Sequence, residues 1–207
     1  MNDKFLVPLK EAKAEITEKK SVFIGRIKNV ETEEEALSYL EEIRKLHRDA
    51  THNVYAYQIR ENNIARFSDD GEPAKTAGAP IMELIKNENI TNVIIVVTRY
   101  FGGTLLGTGG LVKAYQRSAK EAVNAAGIGE QTKCTEFVIT ADYTLWGKVE
   151  YELNNSGVLV LDSEYTDSVS VAALCPNEDF DAFVKRITDV TNGKCQPVVT
   201  GERFHVF

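Results

Sequence analysis

Five consecutive β-branched residues, Val93-Ile94-Ile95-Val96-Val97, constrain this chain more than any other stretch. A strand with one wet face alternates apolar and polar residues. A run that is apolar at every position reads instead as a central strand covered on both faces. It leads through Thr98-Arg99-Tyr100 into Phe101-Gly102-Gly103-Thr104-Leu105-Leu106-Gly107-Thr108-Gly109-Gly110. A helix from Leu111 to Ala126 follows, with Leu111, Tyr115, Ala119, Ala122 and Ala126 as its buried stripe. The small residues of that stripe imply close packing on a sheet. Lys113, Arg117 and Lys120 fall three and four apart and form one basic stripe.

Weaker signals surround this unit. Lys19 to Val30 alternates around Val22, Ile24 and Ile27. Thr32-Glu33-Glu34-Glu35 is a capping box, in which the threonine takes the third backbone N–H and the glutamate reaches back. Leu37, Leu40, Ile43 and Leu46 continue it at helical spacing. His52 to Arg60 reads as a strand. Glu61-Asn62-Asn63 is a hairpin turn leading to Ile64–Phe67. Ser68 to Pro80 is a polar loop, and Ile81 to Lys86 is helical. Gly127 ends the long helix, and residues 129–134 read as a linker. The remainder runs strand (Glu136–Ala141), helix (Tyr143–Asn155), strand (Val158–Glu164), strand (Ser168–Leu174), helix (Glu178–Val190) and strand (Gln196–Phe207). That β-α-β-β-α-β order is the split βαβ of a ferredoxin-like domain. The division is therefore residues 1–128 and 135–207.

The net charge of −7 is unevenly distributed over the 207 residues. Residues 1–128 carry 18 Lys and Arg against 18 Asp and Glu, whereas residues 135–207 carry 5 against 12. So acidic a C-terminal domain repels a phosphate backbone, and any nucleic-acid contact belongs to the N-terminal part. No stretch approaches the roughly 20 apolar residues of a membrane span. Met1 to Lys10 lacks the apolar core and cleavage site of a secretory signal. Cys134, Cys175 and Cys195 are isolated and odd in number, which argues against a disulfide framework or zinc site. A reduced, cytoplasmic protein without membrane, metal or cofactor is the expectation.

Three constellations can carry chemistry. The first is the glycine-rich turn between Arg99 and Lys113. A strand–turn–helix arrangement can aim free N–H groups at an anion, with Arg99 and Lys113 flanking it; alternatively the glycines only permit a tight turn and close packing. No Gly-Lys-Ser/Thr follows, so it is not a P-loop, nor is it a dinucleotide fingerprint. The second is Ser68-Asp69-Asp70-Gly71-Glu72-Pro73 with Thr76-Ala77-Gly78-Ala79-Pro80. Its carboxylates could hold a divalent cation or act in acid–base work, or form a solvated turn with Thr76 or Asp70 capping the next helix. The third is His52, in Ala50-Thr51-His52-Asn53. It is either part of a hydrolase triad with Ser68 and Asp69 or a hydrogen-bonded residue at a strand start. Tyr55, Tyr57 and Ile59 alternate on one strand face and read as core.

Together these segments resemble the YigZ/IMPACT family. The matching motifs are Ala50–Asn53, Ser68–Pro73, Thr76–Pro80, and Val97–Gly103 continuing through Leu106–Tyr115, and they span about residues 18–125. The second half is similar to the C-terminal domain of the family's bacterial two-domain branch. The resemblance implies an N-terminal domain like the second domain of a small-subunit ribosomal protein and domain IV of elongation factor G. It implies a C-terminal domain like domain V of that factor. The eukaryotic relatives are translational regulators that bind the large activator of the amino-acid-starvation kinase. The family supplies no accepted catalytic residues. It points to His52, Asn53, Asp69, Asp70, Glu72, Thr76, Arg99, Tyr100, Gly102, Gly103, Gly107, Gly109, Gly110 and Lys113 as one binding face. Lys75 stands where the family usually has glycine, and Val54 where many members have cysteine.

The expectation is thus a two-domain α+β binding protein linked to translation. Its partner would be a ribosome, an RNA or a protein, met through the N-terminal domain. The rival is a hydrolase or phosphoryl-processing enzyme using Asp69, Asp70, Glu72 and His52, with or without a divalent metal. The rival requires those side chains to converge.

Overall fold

The computed structural model describes residues 3–206. Met1 and Asn2 of the stretch read above as no secretory signal, and Phe207 of the last strand, lie outside the described residues. The chain is α+β and divides into two compact units, residues 5–130 and the segment from Gln131 onward together with Asp3 and Lys4.

In the first unit the sheet contains β2 (Ala12–Glu18), β3 (Ser21–Asn29), β4 (His52–Ile59), β5 (Ile64–Ser68) and β6 (Val93–Tyr100), following β1 (Lys4–Pro8) in the chain. Its order is β2-β3-β6-β4-β5, and every neighbouring pair is antiparallel. The apolar run is therefore central, as read from the sequence. Val93, Ile95 and Val97 enter one core with α2 (Gly78–Asn87) and α3 (Thr108–Ala126). Ile94 and Val96 enter the opposite core under α1 (Glu33–Leu46). Tyr57 and Ile59 belong to that second core as well.

Local signals explain the element ends. Thr32 Oγ1 accepts the Glu35 N–H at 3.1 Å, and the Glu35 carboxylate reaches back to the Glu31 N–H at 2.7 Å. The stripe of α3 is buried along its length. A Cβ on Gly25 of β3 would collide with the Ser118 carbonyl of α3. Glycine below and alanine above thus set the helix directly on the sheet. Strands β1 and β2 were not legible. Ile16 is the only fully buried side chain of β2, so this edge strand carries little apolar pattern.

The second unit runs β7 (Ile128–Ala141), α4 (Tyr143–Asn155), β8 (Leu159–Tyr165), β9 (Val169–Pro176), α5 (Asn177–Thr191) and β10 (Val198–Val206). Its strands are ordered β10-β7-β9-β8, all antiparallel. Phe137, Ile139, Val171, Phe183 and Ile187 fill the core. The linker expected at 129–134 is instead part of β7, and β10 pairs with that strand from Gln131 to Val138. Backbone pairing holds this polar stretch extended without an apolar alternation to announce it.

Candidate functional site

The acidic turn between β5 and α2 folds around its own backbone. Asp69 Oδ1 accepts from the N–H groups of Ala77 (3.1 Å) and Gly78 (2.8 Å), and Oδ2 from Lys75 (2.8 Å). Asp69 is therefore the cap of α2. One of the two readings of the turn from the sequence gave that role to Thr76 or Asp70. Thr76 instead donates its hydroxyl to the Pro73 carbonyl at 2.7 Å, closing the turn. Asp70 sits at φ +44°. Its Oδ2 accepts the Asn53 N–H at 2.7 Å, tying the turn to the start of β4.

Glu72 points the other way, inward. Its Oε1 accepts from Arg99 Nη1 at 2.5 Å and from the Tyr115 hydroxyl at 2.7 Å. The Glu72 and Arg99 side chains are only 4% and 6% exposed, so the charge pair is interior. Burial, and then the Glu72 carboxylate beside it, hold the Tyr115 hydroxyl far above the usual phenol range. The Arg99 guanidinium lies 5.3 Å from the Phe23 ring centroid and 5.5 Å from that of Phe101. The cation is thus enclosed between two rings and one carboxylate.

His52 completes the cluster. Its Nδ1 lies 2.7 Å from the Asp70 carbonyl. A carbonyl only accepts, so Nδ1 carries the hydrogen. Nε2 then stands 3.8 Å from Glu72 Oε1, beyond hydrogen-bond reach. On the opposite side of β4, the Asn53 amide oxygen accepts from Thr98 Oγ1 at 2.8 Å. Tyr100 donates to Asp49 at 3.2 Å and lies 2.8 Å from His47 Nδ1. Burial and then the nearby Arg26 charge lower the His47 pKa below its ordinary value.

The carboxylates therefore do not converge. Asp69 serves α2, Asp70 serves β4, and only Glu72 faces His52. Ser68 Oγ accepts the Asp70 N–H at 3.1 Å rather than addressing His52. No group of three His, Cys, Asp or Glu among the described residues is arranged to hold a metal ion.

The glycines of the turn have separate reasons. A Cβ on Gly102 would collide with the main chain of Lys20 and Ser21, and the Gly102 N–H donates to Ser21 Oγ at 3.1 Å. Close approach thus clamps the β2–β3 turn against the glycine turn. Gly103 and Gly107 adopt φ of +80° and +71°, which L side chains resist. Gly109 and Gly110 are already in the first turn of α3, which begins at Thr108 rather than Leu111. A Cβ on Gly110 would press on Leu106, whereas one on Gly109 would meet nothing within 4 Å.

Sequence reasoning paired Arg99 with Lys113 as flanking cations. The structure separates them: Arg99 is interior and Lys113 is exposed. Lys113 instead shares a groove of about 280 Å³ with Lys19, Arg117, Glu18, Leu106 and Gly110. Lys19 and Lys20, read from the sequence as the start of an alternating stretch, instead form the turn between β2 and β3; the weak apolar pattern of β2 left that turn without a sequence signal.

Residues 19–123 match the Impact N-terminal domain, and residues 139–194 match a domain of unknown function, DUF1949. The chain is 42% identical to the IMPACT family member YvyE of Bacillus subtilis, over 87% of this chain and 83% of that one. It is 32% identical to YigZ of Escherichia coli, over 86% and 89% respectively.

This chain belongs to the IMPACT family.

Similarity to Protein IMPACT-B of Xenopus tropicalis, at 35% identity, covers 49% of this chain and 33% of that protein. A crystal structure titled as that of a hypothetical protein superposes with a TM-score of 0.62 at 29% identity, over 97% of this chain and 99% of the other. All the residues of the acidic and glycine turns lie within the matched Impact N-terminal domain. Lys75 adopts φ +63°, a left-handed backbone that glycine takes more readily than lysine. Val54 is wholly buried in the core under α2 and α3, so a thiol there would also be interior.

Proposed function

We propose that this IMPACT-family chain is a non-enzymatic binding protein linked to translation, acting in the cytoplasm through the unit formed by residues 5–130. The observation that carries this reading is the division of labour among its charges. Asp69, Asp70, Glu72, His52 and Arg99 are spent on internal partners, whereas Lys19, Lys20, Lys113 and Arg117 are left exposed beside the glycine turn. Such a face suits an extended anionic or polar partner better than a small substrate held for chemistry. Asn53, Thr76 and Tyr100 act as its positioning groups. No cofactor is required. We read the second unit as a ferredoxin-like domain similar to domain V of elongation factor G, supported by its strand order. We read the first as similar to domain IV of that factor. The acidic second unit is not a nucleic-acid surface.

The hydrolase reading has less support, because only His52 and Glu72 approach one another and no nucleophile adjoins them. The test is co-sedimentation of the full chain with ribosomes over a salt series. Association at low salt that declines with salt is expected. No association at any salt overturns the ribosomal form of the proposal.

A further inference from the structure

We infer that the groove between the β2–β3 turn and α3 binds the phosphodiester backbone of single-stranded RNA, with Phe101 as a stacking platform for a base. The inference rests on the binding-protein reading above and names the ligand of that face.

The first unit carries 17 Lys and Arg against 18 Asp and Glu over residues 5–130, and these charges are unevenly placed in space. The acidic first turn of α1, with Glu33, Glu34 and Glu35, lies on one side of the sheet. Helix α3, with Lys113 and Arg117, lies on the other. Lys19, Lys20, Lys113 and Arg117 are exposed, and none of their side chains has a hydrogen bond or ion pair to another described residue. Glu18 is the one acidic group lining the groove. Lys19, Lys113 and Arg117 line one concavity, and cations so placed without internal partners are the arrangement a phosphate chain neutralises with release of its counterions.

The groove is held in shape. Lys19 and Lys20 occupy both positive-φ positions of their turn, at +45° and +69°, and the Gly102 contact keeps that turn in place. The open space over Gly103 and Gly109 lets a chain lie directly on the main chain. Gly107 offers no side chain to cap α3, so the N–H groups of its first turn remain for a ligand oxygen.

The exposed ring favours nucleic acid over an acidic protein. Phe101 is 48% exposed and is backed on its inner side by the Arg99 guanidinium. Phe101 directly precedes Gly102, whose main chain meets that of Lys20, and an exposed ring combined with basic side chains is how sequence-tolerant single-strand binders hold successive bases. An A-form duplex would present its bases stacked and unavailable to it.

The test is fluorescence anisotropy of a fluorescein-labelled 12-nucleotide oligouridylate with the full chain, repeated across a salt series. With three cations engaged, log affinity falls against log salt with a slope of about −2, from about −0.7 per phosphate on single strands. Lys113→Ala/Arg117→Ala lowers affinity about tenfold or more and makes that slope shallower by about 1.4. Phe101→Ala weakens binding at least about fivefold while leaving the slope unchanged. Glu33→Gln/Glu34→Gln, on the opposite side of the sheet, changes affinity less than about twofold. Unchanged binding in Lys113→Ala/Arg117→Ala, with circular dichroism showing an intact fold, overturns the proposal. So does capture by phosphatidylserine vesicles without RNA binding, lost in Leu105→Ser. Ribosome association without oligouridylate binding overturns this inference and leaves the broader reading standing. Oligouridylate binding without ribosome association overturns only the ribosomal form of that reading and leaves this inference standing.

Discussion

The interior of residues 5–130 holds charge, whereas the interior from Gln131 onward holds apolar residues and small hydroxyls. Glu72, Arg99 and Arg26 are buried in the first unit; Thr132, Thr135, Ser156 and Thr191 are the buried polar residues described in the second. Glycines held by close backbone approach belong to the first unit, although its Gly103, Gly107 and Gly109 have open space. Gly25, Gly78 and Gly102 stand where a Cβ would strike backbone, whereas Gly147, Gly157, Gly193 and Gly201 have nothing within 4 Å. The second unit is stabilised by generic packing, and many apolar sequences can do that. The first carries one polar network and several backbone contacts that admit few substitutions. Their common effect is to hold the glycine turn and the Lys19–Lys20 turn in one arrangement. That is why the functional reading falls on the first unit.

The strongest test of this contrast is the buried ion pair. Glu72→Ala leaves the Arg99 guanidinium and the Tyr115 hydroxyl without their acceptor, and should destabilise the first unit by about 3–5 kcal/mol in urea unfolding. A combined Glu72→Leu/Arg99→Met replacement should recover much of that loss. Equal losses in the single and double variants would break the picture of a mutually dependent pair. Next is Gly102→Ala, which forces the two turns apart and should cost about 1–3 kcal/mol. The matching Gly147→Ala, in helix α4, should instead stabilise by about 0.5–1 kcal/mol, because that helix has space for a methyl group. Asp69→Ala, which removes the cap of α2, should cost about 1 kcal/mol. Lys75→Gly relieves a left-handed lysine and should stabilise by a few tenths of a kcal/mol to about 1 kcal/mol.

Two titrations separate the units further. The His47 pKa is lowered in the fold, so the unfolded chain binds more protons near its ordinary value of about 6.5. Stability of the first unit should therefore fall as pH drops below about 6.5, down through the depressed native pKa. His47→Gln should flatten that part of the pH profile. In the second unit Cys134, Cys175 and Cys195 are free and buried. Burial, and then the neighbouring Asp179, push the Cys175 thiol up to about 12. A thiol-reactive dye at pH 8 should label the native chain far more slowly than the urea-unfolded chain, which reacts three times per molecule. Rapid native labelling would show the second core opening more freely than its packing implies.

What could be read beforehand was local. The capping interactions at Thr32 lie within the five residues Glu31–Glu35. The two-faced burial of Val93–Val97 follows from composition alone, and so does the stripe of α3. The split βαβ order emerged from successive patterns of period two and 3.6. The family motifs placed the acidic turn, His52 and the glycine turn in one matched domain. They could not say which carboxylate did what. Asp69, Asp70 and Glu72 are nearly equivalent in sequence and wholly different in role, because the left-handed backbone at Asp70 turns each the way its neighbours do not face.

The sequence by itself determined most of the elements, the central strand and the family. Each of these depends on residue type at short spacing. Only the tertiary structure decided that Arg99 is an interior counter-ion rather than a surface anion-binder. Its carboxylate partner, Glu72, lies 27 residues before it and 43 residues before Tyr115, and no periodicity reports a pairing across such separations. The same holds for the basic groove. Lys19 and Lys113 are distant in the chain, and they meet at one groove because Gly102 lets two backbones come within reach.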